Sequence, residues 1–125
     1  MTKNTTNENC KLTYGVSSEQ VRQAIEAVFI LSDLTHLKVD RRFEDNLHID
    51  SAREMYCGVC LEHDIDWVEA IEHLDISEDS FKYRTSQFRK YQEMYEVGDW
   101  TPRVIAYNRR LCSVRRKLEN LVTGY

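Results

Sequence analysis

Apolar residues along this chain recur in steps of three and four, the spacing of helices with one buried face. The longest run is near the C-terminal end, where Val104, Tyr107, Leu111, Val114, Leu118 and Leu121 make one continuous seam. The sharpest break lies just before it, at Val97-Gly98-Asp99-Trp100-Thr101-Pro102. Gly98 follows a helix end, Thr101 suits an N-cap, and Pro102 falls at N1, where its missing N–H costs nothing. Upstream of the break, Phe81, Phe88 and Tyr95 recur every seven residues, with Thr85 and Tyr91 between them and Ser77 as the N-cap.

The first half reads in the same way. Ser17-Ser18-Glu19-Gln20 spells a capping box, and Val21, Ala24, Ile25, Val28 and Phe29 continue as a helical face to about Leu31. Leu34 and Leu37 suit a further short turn. Residues 38–49 lose the period and read as a charged connection centred on Arg41-Arg42. Ser51-Ala52-Arg53-Glu54 spells a second capping box, opening a helix with Ala52, Met55, Tyr56 and Val59 inward and an end near Glu62 or His63. Asp66 caps a short helix with Trp67, Ala70, Ile71 and Leu74 inward, and Asp75-Ile76 forms a turn. Residues 1–15 show no period and predict a disordered tail; 16–125 predict one helical domain. The fold class is all-α, a compact bundle of five to six helices, with no strands and no internal repeat.

Composition narrows this further. A chain of 125 residues supports one core, and one proline with four glycines suits few connections. No run of apolar residues is long enough to span a bilayer, so no membrane partner is expected. The polar start, MTKNTTNENCKLTYG, lacks the apolar core of a secretory signal. A cytoplasmic location is the default, with Cys10, Cys57, Cys60 and Cys112 as thiols. Charge is divided unevenly: residues 1–81 carry 7 Lys+Arg against 17 Asp+Glu, and residues 82–125 carry 10 against 4. Such a division points to a polyanion-facing side, or to an acidic half that packs on a basic one.

The stretch from Asp64 to Tyr95 has the outline of a helix-turn-helix, a DNA-reading device. With Trp67 as its first position, Ala70, Leu74, Ile76 and Phe81 fall at core positions. Asp75 falls where glycine is usual, and Asp tolerates the left-handed conformation better than most residues. Arg84 falls where an apolar residue is usual, which is a mismatch. The face that would enter a groove carries Ser77, Glu78, Asp79, Lys82, Tyr83 and Ser86. Lys82 and Tyr83 suit phosphate or base contact, whereas Glu78 and Asp79 do not suit the duplex backbone. The alternative is an ordinary helical hairpin inside an all-α protein.

Ile76 to Tyr83, ISEDSFKY, resembles the recognition-helix spelling of bacterial response regulators and sigma factors. A longer resemblance covers residues 17–122. Gln20 to Leu31, then Arg41-Arg42 with Ala52-Arg53-Glu54-Met55-Tyr56, then Asp66 to Arg89 resemble, in that order, three segments of one family. They are the first long helix, the basic loop with its following helix, and the helix-turn-helix of domain IV, the C-terminal DNA-binding domain of the bacterial replication initiator DnaA. That domain belongs to the Trp-repressor-like superfamily. The family's Gly-Arg-Asp-His-Thr-Thr-Val run is absent, and Ser77-Glu78-Asp79-Ser80-Phe81 stands near its place. The resemblance implies a DNA-binding function. It makes Arg41 and Arg42 basic-loop contacts, and Ser77, Ser80 and Lys82 recognition-helix contacts. Arg109 to Leu121 also resembles the end of that recognition helix, a register that places the reading helix last. No Gly-x-x-x-x-Gly-Lys-Ser/Thr run occurs, so an initiator's ATPase is not expected.

Arg103, Arg110 and Lys117 stack at seven-residue spacing, flanked by Arg109 and Arg116. With Arg89 upstream, these residues could neutralise phosphates; the alternative is a solvated outer face. Cys57, Cys60 and His63 share a helical side but fall short of four zinc ligands, so buried thiols are expected and no metal or cofactor. His36, His48, His63 and His73 are scattered, and no catalytic constellation stands out; no enzyme is expected. The reading is a small protein binding double-stranded DNA, by helix-turn-helix, basic loop and basic C-terminal helix. The alternative is a protein-interaction or homodimerising module on a degenerate helix-turn-helix scaffold.

Overall fold

In the computed structural model, residues 15–31, 34, 45–74 and 76–124 are described, those of 45–49 through their backbone. Among them are five α-helices and no strand: α1 (Ser18–Phe29), α2 (Asp45–Glu62), α3 (Trp67–Ala70), α4 (Glu78–Glu96) and α5 (Pro102–Thr123). A 3-10 turn, Ile71–His73, continues α3. The expected all-α class holds. The expected tail, and Arg41 and Arg42 of the basic loop, lie outside the described residues.

Helix starts follow their capping chemistry. Ser17 Oγ accepts from the Gln20 N–H at 3.1 Å while Gln20 Oε1 accepts from the Ser17 N–H at 3.0 Å, a reciprocal capping box. Ser77 Oγ accepts from the Ser80 N–H at 3.1 Å, and Thr101 Oγ1 from the Val104 N–H at 3.3 Å, with Pro102 just inside α5. Two expectations fail. The helix expected to start at Ser51 begins at Asp45, so Ser51 is a helix-interior residue. Asp66 stands at the N-cap of α3 without a side-chain hydrogen bond, and the expected two-turn helix divides into one α turn and one 3-10 turn.

α2 is the central element, with α1 on one side and α4 on another. This is why it is buried beyond the single face its pattern shows: Cys57, Gly58 and Cys60 are enclosed along with Ala52, Met55, Tyr56 and Val59. Gly58 marks the crossing with α4, where the Phe88 ring fills the place of a side chain. Tyr56, fully buried, donates from its hydroxyl to the Ala70 carbonyl at 2.6 Å, tying α3 to α2. α5 lies along α1, burying Val104, Tyr107, Leu111, Val114 and Leu118. Each such side chain removed from water contributes roughly 1.5–3 kcal/mol. α5 also meets α4 through the stacked rings of Tyr91 and Tyr107, 4.2 Å apart. It meets α2 where Arg115 donates twice to the Glu62 carboxylate, at 2.9 and 2.8 Å.

Candidate nucleic-acid interface

The hairpin formed by α3, its 3-10 turn and α4 projects the start of α4 outward. Ser77, Lys82, Tyr83 and Arg89 are exposed, Tyr83 by 64%, and Ser80 is half-buried. The first cation on this face is paired. Lys82 Nζ lies 3.2 Å from Glu78 Oε2, one turn back, and Asp79 is exposed beside them. Lys82 and Arg89 also border an open groove of about 430 Å3 between α4 and residues 61–67. Leu61, Ile65, Trp67 and Phe81 give it apolar walls, and Asp64 and Asp66 line it as well.

α5 differs. Arg103, Arg109, Arg110, Arg116 and Lys117 are all exposed. Arg110 lies over the Phe29 ring of α1, 4.8 Å from its centroid. Arg109, Arg116 and Lys117 make no hydrogen bond or ion pair with any described residue. Arg115, by contrast, turns toward α2 and is held by Glu62. The helix contains one acid, Glu119. The outer face of α5 is therefore basic, and Arg109, Arg116 and Lys117 on it are not neutralised by any described acidic residue.

Two of the expected contact residues, Lys82 and Arg89, share one flank of α4. Lys82 and Arg89 border the groove beside residues 61–67, whereas Tyr91, on another flank of α4, meets α5 at Tyr107. Arg103, Arg110 and Lys117 do lie along one exposed side of α5. Arg109 and Arg116, which flank that row, are equally exposed and have no partner among the described residues.

Arg84, the mismatch in the helix-turn-helix pattern, is half-buried between α4 and α2. Its Nε is enclosed without a hydrogen-bond partner. It belongs to a polar cluster with Arg53, Glu54, Arg103 and Tyr107. Burial pushes the Glu54 carboxyl above its usual range, opposed by Tyr107, Arg84 and Arg103. The Tyr107 hydroxyl lies close enough to act on Glu54, yet it is enclosed without a hydrogen-bond partner. Burial, then the like charge of Arg84, draws the Arg53 guanidinium below its ordinary value. The cluster joins α2, α4 and the start of α5, where Arg103 is exposed and still close enough to act on Glu54.

The cysteines follow the plain expectation for buried thiols. Cys57 and Cys60 lie in the core, and burial pushes the Cys57 thiol up to about 12 and raises Cys60 as well. Cys112 is exposed on α5. Among the described residues no group of three His, Cys, Asp or Glu side chains is placed to hold a metal. No helix among them is long and apolar enough to cross a membrane. No protein-family model, curated protein or solved structure matches this chain.

Proposed function

We propose that this protein binds double-stranded DNA, with the outer face of α5 supplying the main phosphate contacts. The observation that carries this reading is the row of exposed, unpaired cations at Arg109, Arg116 and Lys117, extended by exposed Arg103 and Arg110. An unpaired cation has no ion pair to break before it engages a ligand, whereas a paired one must first lose its partner. The helical hairpin before α5, and the order of segments resembling DnaA domain IV, make duplex DNA the favoured polyanion. Phosphate contacts of this kind give affinity that falls steeply with salt. Titration of a fluorescent mixed-sequence duplex at low salt tests the proposal. Saturable binding is expected; no binding at low salt contradicts it.

A second reading has its own support. Glu78, Asp79 and the Glu78–Lys82 pair place acid at the tip of the α3–α4 hairpin, which suits a basic protein partner or a second copy better than a phosphate backbone. If the tip repels DNA, Glu78→Lys with Asp79→Lys creates or strongly raises duplex affinity. Unchanged affinity contradicts this second reading.

A further inference from the structure

We infer that α5, rather than α4, is the helix that lies in the major groove. The inference rests on the DNA-binding reading above and assigns its geometry.

Successive helical residues are about 100° apart, so a residue three positions on lies about 60° back around the axis. Ala106 therefore lies midway between Arg103 and Arg109. Ser113 lies midway between Arg110 and Arg116 in the same way, and Asn120 continues the line beyond Lys117. The outer face of α5 thus repeats one pattern: a cation, a small neutral residue, a cation. Arg103, Arg110 and Lys117 form one bank, Arg109 and Arg116 the other, and Ala106, Ser113 and Asn120 the midline. Ala106 and Asn120 are exposed and Ser113 half-buried. Glu119, the acid of this helix, falls outside the band, beyond the Arg116 row.

This pattern fits a groove rather than a flat polyanion. A helix with its side chains is about 10–12 Å across, and the major groove is about 12 Å wide. Cations on the two flanks would reach the phosphates on either side, while the small midline lets the backbone approach the floor. From Arg103 to Lys117 the helix rises about 21 Å, at about 1.5 Å per residue. The midline side chains have base-edge chemistry: Asn120 can take adenine N6 and N7 together, Ser113 can donate or accept, and the Ala106 methyl suits the thymine methyl. α4 lacks this arrangement. Arg89 and Lys90 are exposed on its outward face too, but the line between the rows that hold them carries Asp79 and Glu93 on either side of Ser86, and Lys82 is paired with Glu78.

Site-directed photo-cross-linking tests it. Cys10→Ser with Cys112→Ser leaves the buried pair Cys57 and Cys60. Into that background goes either Ala106→Cys on α5 or Ser86→Cys on α4, both exposed positions, each labelled with benzophenone maleimide. Thermal melting of each labelled protein confirms folding, and fluorescence anisotropy with the same mixed-sequence duplex confirms binding. Cross-links to bases severalfold stronger from position 106 than from position 86 are expected. Equal or stronger cross-linking from position 86, with the duplex bound, overturns the assignment of α5 while leaving DNA binding intact. Absence of duplex binding by the unmodified protein overturns both.

Discussion

The Phe88 ring on α4 occupies the space that any side chain at Gly58 on α2 would need. Both residues are buried, so neither can turn aside into solvent. The contact fixes how closely α4 approaches α2, and with it the placement of the whole α3–α4 hairpin. Gly58→Ala should therefore destabilise the fold by about 1–3 kcal/mol, as overpacking does, despite the better helix propensity of alanine. Chemical denaturation measures this. Phe88→Leu added to Gly58→Ala should cost less than the two single changes together, because the second change relieves the first.

Ile30 ends α1 in the left-handed conformation, with φ of 56° and 90% exposure. A β-branched residue is unsuited to this conformation, which costs an L-residue roughly 1–2 kcal/mol. Its N–H still closes the helix end on the Ala27 carbonyl. Glycine would remove the strain at a smaller cost in chain entropy. Ile30→Gly should stabilise by about 0.5–1 kcal/mol, seen as a raised denaturation midpoint. A lowered midpoint would show that Ile30 makes a contact worth more than the strain.

Glu54 gives the fold a pH dependence of definite sign. Burial raises its folded-state pKa above the ordinary 4.5. Between those two values the folded chain holds more protons than the unfolded chain, so stability falls as pH rises through that window. Above that window the ionised carboxylate bears the cost of its burial, which Tyr107, Arg84 and Arg103 offset only in part. Glu54→Gln should raise the melting temperature at neutral pH, and the gain should vanish below the ordinary carboxylate pKa. A lower melting temperature at neutral pH would mean that the arginines outweigh burial.

Thiol reactivity should separate the described cysteines. Only thiolate attacks an alkylating reagent, and burial keeps Cys57 and Cys60 both protonated and inaccessible. Under native conditions iodoacetamide should modify Cys112, with Cys57 and Cys60 labelled only in denaturant. Peptide mapping by mass spectrometry reads the outcome, and native labelling of Cys57 would contradict the packing of α2.

The sequence shows helix starts best where a cap and a break coincide, as at Ser17, Ser77 and Thr101-Pro102. It misleads at Ser51, because Ser-x-x-Glu has the same spelling inside a helix as at its start, and the helix in fact begins at Asp45. Burial of Cys57, Gly58 and Cys60 is not legible from one helix's period, because it arises from helices packing on two sides of α2. The basic rows of α5 are legible from spacing alone. That Arg109, Arg116 and Lys117 lack a partner among the described residues is not, since Arg115 on the same helix is paired with Glu62 from 53 residues away. Arg84 stands out in the sequence as a mismatch, but only packing places it beside Glu54 and Arg53.

On the reading proposed above, the outer face of α5 holds duplex DNA through its phosphates. Its most direct test is the salt dependence of duplex affinity for the natural protein and for Arg109→Ala/Arg116→Ala/Lys117→Ala. Each phosphate contact contributes about 0.9 to the slope of log affinity against log salt. The triple variant should remain folded, bind more weakly at every salt concentration, and lose about three units of slope. An unchanged slope in a folded triple variant would contradict the claim.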